Sequence, residues 1–119
     1  MPVSSRKGGL GWVLQALTGA VLTAVVVAHL VRVHLQGSYK GLPTYGEVLM
    51  AFKNPLVVAS ELALLVAALY HALYGLHMVL VEAKLVSEGK SRKMLSTLGI
   101  LLFAYALLLT LYLAAKPYP

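Results

Sequence analysis

The chain has 119 residues, of which 60% are hydrophobic and 12% are charged. A soluble domain of this size has too little interior to bury so much apolar surface, so the composition indicates a protein whose solvent is lipid. The absence of cysteine excludes disulfides, thiolate metal sites and protein-ligated iron–sulfur clusters. The net charge is +6, and the basic residues lie at the ends of apolar runs. This placement indicates contact with lipid headgroups rather than with nucleic acid.

Three long segments are almost free of ionised side chains. Residues 8–31 and 94–115 contain none, and residues 54–81 contain only Glu61. At about 1.5 Å per residue, each segment can cross about 30 Å of hydrocarbon. The sequence therefore predicts an all-α integral membrane bundle in a single domain, 1–119. Its three transmembrane helices are expected near 10–34, 55–83 and 94–115.

The two connections have different compositions. The first is rich in Gly, Pro and Ser, and its centre, 45–52, predicts a short helix at the membrane interface. Asn54-Pro55 is a good start for the next helix, and the second connection is short and basic. Trp12 and the tyrosines are expected as interface anchors or lipid-facing residues: Tyr70, Tyr74, Tyr105, Tyr112 and Tyr118.

The basic residues predict the direction of insertion. Six of the 10 lysines and arginines lie in the N-terminal segment and second connection: Arg6, Lys7, Lys84, Lys90, Arg92 and Lys93. The others lie at the opposite ends of the spans: Arg32, Lys40, Lys53 and Lys116. The positive-inside rule then places the N-terminus in the cytoplasm, in a multi-pass protein of the cell membrane. The N-terminal segment has no small-residue cleavage site, so no removed signal peptide is expected.

Ionisable side chains within the spans are candidate functional residues, because they are costly in hydrocarbon. His71 lies deep in the second helix and His29 near the outer end of the first. A neutral imidazole is a good ligand for haem iron, and two of them make a low-spin electron carrier. Gly75, one turn from His71, forms a small-residue notch that suits a porphyrin. The same pattern also fits histidines that hydrogen-bond between closely packed helices. Glu61 is either a proton-relay or quinone-site acid, or a neutral hydrogen-bonded acid.

Two motifs carry a family resemblance. The first is WVLQALTG, 12–19, followed by His29 ten residues after Gly19. The second is YHALYGLHMVLVE, 70–82, with His71, Gly75 and Glu82 in register. Together they resemble the haem-b membrane anchors of succinate dehydrogenase and fumarate reductase, especially the C-terminal half of the fused, di-haem anchor and the smaller hydrophobic anchor of two-chain enzymes.

The resemblance implies a role for each histidine. His29 matches a ligand of the haem farther from the iron–sulfur subunit, and His71 a ligand of the nearer haem. The other two ligands would come from a second three-helix anchor chain, or from a second copy of this chain. The chain would then be half of a larger haem-binding helix bundle, joined to an iron–sulfur subunit and a flavoprotein subunit.

Departures from the family pattern limit what carries over. Ala16 and Ala83 stand where single-haem relatives have arginine and tyrosine near the quinone, so that quinone site does not carry over. His77 replaces an arginine that often follows the haem ligand by six residues; it either bonds a haem propionate or contacts water. Arg32, one turn beyond His29, either pairs with a propionate or extends to the membrane surface.

The function expected is electron transfer between the iron–sulfur subunit and membrane quinone through bis-histidine haem b, with no dicarboxylate site on this chain. One alternative is the haem-b anchor of another quinone-linked reductase, such as heterodisulfide or nitrate reductase. Another is a small transporter or structural bundle without a cofactor. A haem-free anchor of the same enzyme family is a third.

Overall fold

The computed structural model describes residues 5–37 and 42–117, and these are almost entirely helical. Helix α1 is Ser5–Leu30 and continues into a π-helical segment, Val31–Gly37. The remaining helices are α2 (Tyr45–Ala51), α3 (Pro55–Glu82) and α4 (Glu88–Ala115). No strand occurs in the described residues. The all-α prediction is confirmed; Lys40 and Tyr118 lie outside the described residues.

Three of these helices are long and apolar enough to cross a membrane. The spans are Gly9–Leu35, Pro55–Glu82 and Glu88–Ala115, with mean hydropathies of 1.9, 2.0 and 2.3. Large apolar side chains cover the outside of the bundle, while Leu49, Ala67 and Leu95 are its buried apolar residues. This inversion of the usual soluble pattern suits a protein surrounded by lipid. The predicted multi-pass bundle of three transmembrane helices is confirmed.

Local capping explains where α2 and α3 begin. Thr44 Oγ1 accepts a hydrogen bond from the Glu47 amide, and Glu47 returns one by accepting from the Thr44 amide at 2.6 Å. These bonds lower the pKa of the Glu47 carboxyl, the bond from the Thr44 amide contributing most. Asn54 Oδ1 accepts from the Leu56 amide at 2.9 Å, directly before Pro55. The predicted short helix and the Asn-Pro start are both confirmed.

The start of α4 differs from the prediction. The helix begins at Glu88 rather than near residue 94, because Ser87 Oγ accepts from the Lys90 amide and caps its first turn. The charged first turns of α4 are helical although they are too polar for hydrocarbon. Charge spacing therefore missed the start of this helix.

Helix α3 ends in a Schellman motif. The amides of Lys84 and Leu85 donate to the carbonyls of Val81 and Leu80, each at 3.0 Å. Lys84 has φ of 57°, a left-handed conformation that a residue with a Cβ adopts at a cost. The tight turn places α4 antiparallel beside α3.

Helix α3 is central, packing against α1 on one side and α4 on the other. Gly99 of α4 allows one close contact, since a Cβ there would lie 2.8 Å from Leu73 Cδ1. At the far end, Lys53 Nζ donates to the carbonyl oxygens of Ala114 and Lys116, which joins the start of α3 to the end of α4. These contacts hold α3 in position against α1 and α4, and the three helices carry the ionisable residues.

Candidate functional site

His71 contacts α1 through one nitrogen of its ring. Its Nδ1 lies 3.2 Å from the carbonyl oxygen of Gln15 and 3.3 Å from Thr18 Oγ1, while the Thr18 hydroxyl itself donates to Gln15 O. A carbonyl oxygen can only accept, so this arrangement places the ring proton on Nδ1. The Nε2 atom makes no hydrogen bond in the described part of the chain, and its lone pair is available to a ligand.

Two glycines make the α1–α3 contact close enough for these bonds. A Cβ on Gly19 would lie 3.2 Å from His71 Cε1, and a Cβ on Gly75 would lie 3.2 Å from Gln15 Nε2. That Gln15 Nε2 donates to the His71 carbonyl oxygen at 3.0 Å, whereas its buried Oε1 has no partner among the described residues. The space beside Gly75 is thus occupied by the Gln15 side chain. Gly75 therefore lies at the α1–α3 contact.

His29 is held by a different kind of group. Its Nδ1 lies 3.0 Å from Glu61 Oε1, and the Arg32 guanidinium donates to the same oxygen. The side chains of His29, Glu61 and Arg32 are 33%, 20% and 34% exposed, so the network is half-buried. Arg32 belongs to the π-helical segment that begins two residues after His29. As in His71, Nε2 makes no hydrogen bond within the residues the structure describes.

The two histidines lie at different depths of one antiparallel helix pair. Gly19 faces His71, and His29 faces Glu61. Each pair is separated from the other by ten residues along both helices, which corresponds to about 15 Å. One metal ion cannot bind both rings at that separation. Among the described residues there is also no cluster of three or more potential metal ligands.

His77 belongs to the other side of α3. Its Nδ1 lies 2.8 Å from the Oγ of Ser91 in α4, and Ser91 is 0% exposed. As a result, the structure does not bring His77 together with the residues around His71 or His29.

An apolar groove of about 610 Å³ lies along α3 and α4. Its lining includes the polar residues Tyr70, Tyr74, His77, Arg92 and Ser96. The Tyr70 and Tyr74 rings stack with centroids 5.5 Å apart, and Tyr70 donates to the Gly11 carbonyl at 3.3 Å. Both tyrosines are half-buried; their expected role as interface anchors or lipid-facing residues stays a prediction.

Sequence reasoning missed the partners of the two candidate ligands. Gln15, Thr18 and Gly19 were identified as a motif, but not as the residues that contact His71. Glu61 was identified as costly, but not as the partner of His29 and Arg32. One antiparallel register generates all of these contacts, because it opposes Gly19 to His71, Gln15 to Gly75 and His29 to Glu61.

The two sequence motifs therefore meet in space, Gln15–Gly19 of α1 lying against His71–Gly75 of α3. Comparison with curated proteins and with solved structures returned no match. Residues 2–113 match the family model described as Succinate dehydrogenase/Fumarate reductase transmembrane subunit. Since this match spans most of the chain and its three membrane helices, the protein belongs to the succinate dehydrogenase/fumarate reductase transmembrane subunit family.

Proposed function

We propose that this membrane subunit carries haem b on His71 and His29 and passes electrons between an iron–sulfur subunit and membrane quinone. The observation that carries the proposal is the state of the two imidazoles. Each has Nδ1 held by an acceptor on the neighbouring helix, and among the described residues none bonds to its Nε2. A histidine whose Nδ1–H is held in this way presents a correctly oriented Nε2 lone pair to a metal.

His71 and His29 would each hold one of two haems through Nε2. Because the rings lie about 15 Å apart along the helix axis, any second histidine ligand would come from another polypeptide. That polypeptide is a second three-helix anchor, or a second copy of this chain, and together they form the larger bundle. Bound haem b supplies reversible one-electron transfer. The protein orients the ligands, excludes water and sets the local charge.

Three other residues were expected near the haems. Gly75 acts by admitting Gln15 and so positioning α1 against α3. Arg32 already pairs with Glu61, and His77 with Ser91. A propionate at either side chain would have to share it with these partners. We therefore assign haem contact first to His71 and His29, and propionate contact second to Arg32 and His77.

The complex proposed includes a flavoprotein subunit that acts on the dicarboxylate. The iron–sulfur subunit docks on the cytoplasmic side, where the N-terminus and the basic α3–α4 connection lie. This topology places His71 nearer that subunit and His29 nearer the outer face of the cell membrane. The chain itself supplies anchoring and electron transfer.

The test is a dithionite-reduced minus oxidised spectrum of the purified complex, with pyridine haemochrome quantitation. We expect two haems b per anchor pair, with His71→Ala and His29→Ala each removing or altering a different one. His34→Ala is the matched control, because His34 is also a helical histidine, in the π-helical segment, and has no proposed contact with a haem. An intact complex without haem absorbance would leave a haem-free anchor and reject the electron-transfer role.

A further inference from the structure

The two candidate ligands differ in the charge of the group that holds Nδ1. Around His71 the acceptors are a carbonyl oxygen and a hydroxyl, both neutral. Around His29 the acceptor is the carboxylate of Glu61. The α1–α3 pair thus holds His29 by a carboxylate, and about 15 Å away along the helices it holds His71 by neutral oxygens.

We propose that Glu61 is a positioning residue for His29 that orients its imidazole and lowers the midpoint potential of the haem bound there relative to the haem at His71. The inference rests on the proposed function, since it requires haem at both histidines. It assigns Glu61 to ligand control, so that neither quinone binding nor proton relay is needed to explain a carboxyl group inside the span.

The physical basis is the strength of the hydrogen bond to Nδ1. A carboxylate accepts a stronger hydrogen bond than a neutral carbonyl does. It therefore draws the Nδ1 proton toward itself and makes Nε2 a more electron-rich ligand. Such a ligand stabilises iron(III) more than iron(II), so the midpoint potential falls. The carboxylate charge near the iron acts in the same direction.

The surroundings of Glu61 allow this effect to be large. The small cavity beside it, about 80 Å³, is lined by the apolar residues Val25, Ala28 and Leu64 and by the polar residues His29, Arg32, Ser60 and Glu61. The Glu61 side chain is 20% exposed, so its interaction with His29 is screened less than that of a fully exposed pair. The neighbouring Ser60 hydroxyl donates to its own helix at Val57 O, 2.8 Å away, and does not compete for the carboxylate.

Arg32 also fixes the carboxylate. Its guanidinium and the His29 ring share Oε1 of Glu61, so the acid is oriented by two donors from α1 and its π-helical continuation. Arg32 also offsets part of the negative charge. The hydrogen bond to His29 can therefore persist without an isolated charge inside the membrane span.

The experiment is a potentiometric titration of the haems in the purified complex, with EPR spectra of the oxidised state. Three proteins are compared: the unsubstituted complex, Glu61→Gln and Glu88→Gln. Glutamine keeps the shape of Glu61 and removes its charge. Glu88→Gln is the matched control, because Glu88 also accepts from an arginine, Arg92, but in an exposed pair at the start of α4.

We expect Glu61→Gln to change the iron(III)/iron(II) equilibrium of one haem about tenfold in favour of iron(II). The midpoint potential of that haem should therefore rise by about 59 mV for one electron. The ferric EPR g values of that haem should change, while the other haem keeps its potential and spectrum. Glu88→Gln should alter neither haem. Two haems with unchanged potentials and g values in Glu61→Gln would overturn the proposal.

If Glu61→Gln loses one haem, Glu61→Asp tests whether a carboxylate at this position is what the haem requires. Recovery of that haem in the aspartate variant supports control by the carboxylate, and failure to recover it rejects this role. An unsubstituted complex that contains no haem would instead overturn the proposed function, and the inference with it. The two failures are therefore distinguishable from one spectrum.

Discussion

The region around His71 and the region around His29 use the same two helices in different ways. At His71 the helices approach closely through Gly19 and Gly75, and the ring is held by backbone and hydroxyl oxygens. At His29 the contact is made by long side chains, with Glu61 joining His29 and Arg32. Close packing fixes the first ring sterically, whereas hydrogen bonding and charge fix the second. The first site should therefore be sensitive to side-chain volume, and the second to charge.

The largest expected effect comes from filling the close contact. Gly19→Val places new carbon atoms where a Cβ alone would already lie 3.2 Å from the His71 ring. We expect the ring to be displaced, the haem at His71 to be lost and the haem at His29 to be retained. Overpacking of this kind costs about 1–3 kcal/mol, so the thermal midpoint of the complex should also fall.

Gly9→Val is the matched control for this prediction. Gly9 lies on the same helix, but a Cβ there would meet no atom within 4 Å. Pyridine haemochrome quantitation and thermal unfolding of both variants make the comparison. Equal haem content in the two would show that the close α1–α3 contact does not position His71.

A smaller effect is expected when charge alone is changed at the second region. Arg32→Gln removes the positive partner of Glu61 but leaves the hydrogen bond between Glu61 and His29. The potential of the haem at His29 should fall, opposite in sign to the effect of Glu61→Gln. The iron(III)/iron(II) equilibrium of that haem should change by less than tenfold, because Arg32 is 34% exposed and its charge is partly screened.

The EPR spectrum separates charge from hydrogen bonding in this variant. The g values of that haem should change much less in Arg32→Gln than in Glu61→Gln, because its ligand keeps the same hydrogen-bond partner. Equal spectral changes in the two variants would mean that Glu61 acts on the haem by charge alone. Potentiometry and EPR on the same samples provide the test.

The sequence predicted the spans well because ionised residues are excluded from hydrocarbon. The uncharged segments located all three transmembrane helices, and Asn54-Pro55 marked the start of α3 correctly. The start of α4 was missed because Ser87 caps a helix whose first turns are charged. Helical periodicity gave no further help, since each span is apolar on every face.

The candidate site was predicted only as separate residues. His71 and His29 were identified from chemistry and from the family motifs, but an all-apolar helix does not reveal which face meets its neighbour. The contact of Gln15 with His71, and that of Glu61 with His29, depend on the register of α1 against α3. Knowing either contact between α1 and α3 would have located the other contact, because the two contacts are ten residues apart on each helix.

The smallest expected effect lies outside both regions and tests whether they are independent of the α3–α4 turn. Lys84 has φ of 57° in the Schellman motif that ends α3. Glycine adopts this conformation without the steric cost of a Cβ. Lys84→Gly should therefore stabilise the protein by about 1 kcal/mol relative to Lys84→Ala, which removes the same charge but keeps a Cβ. Thermal unfolding of the two variants measures the difference.

The potentials of both haems should be the same in the pair, because the turn touches neither His71 nor His29. A potential that differed between Lys84→Gly and Lys84→Ala would mean that strain in this turn reaches the α1–α3 contact, and the comparison between the two regions would then have to include α4.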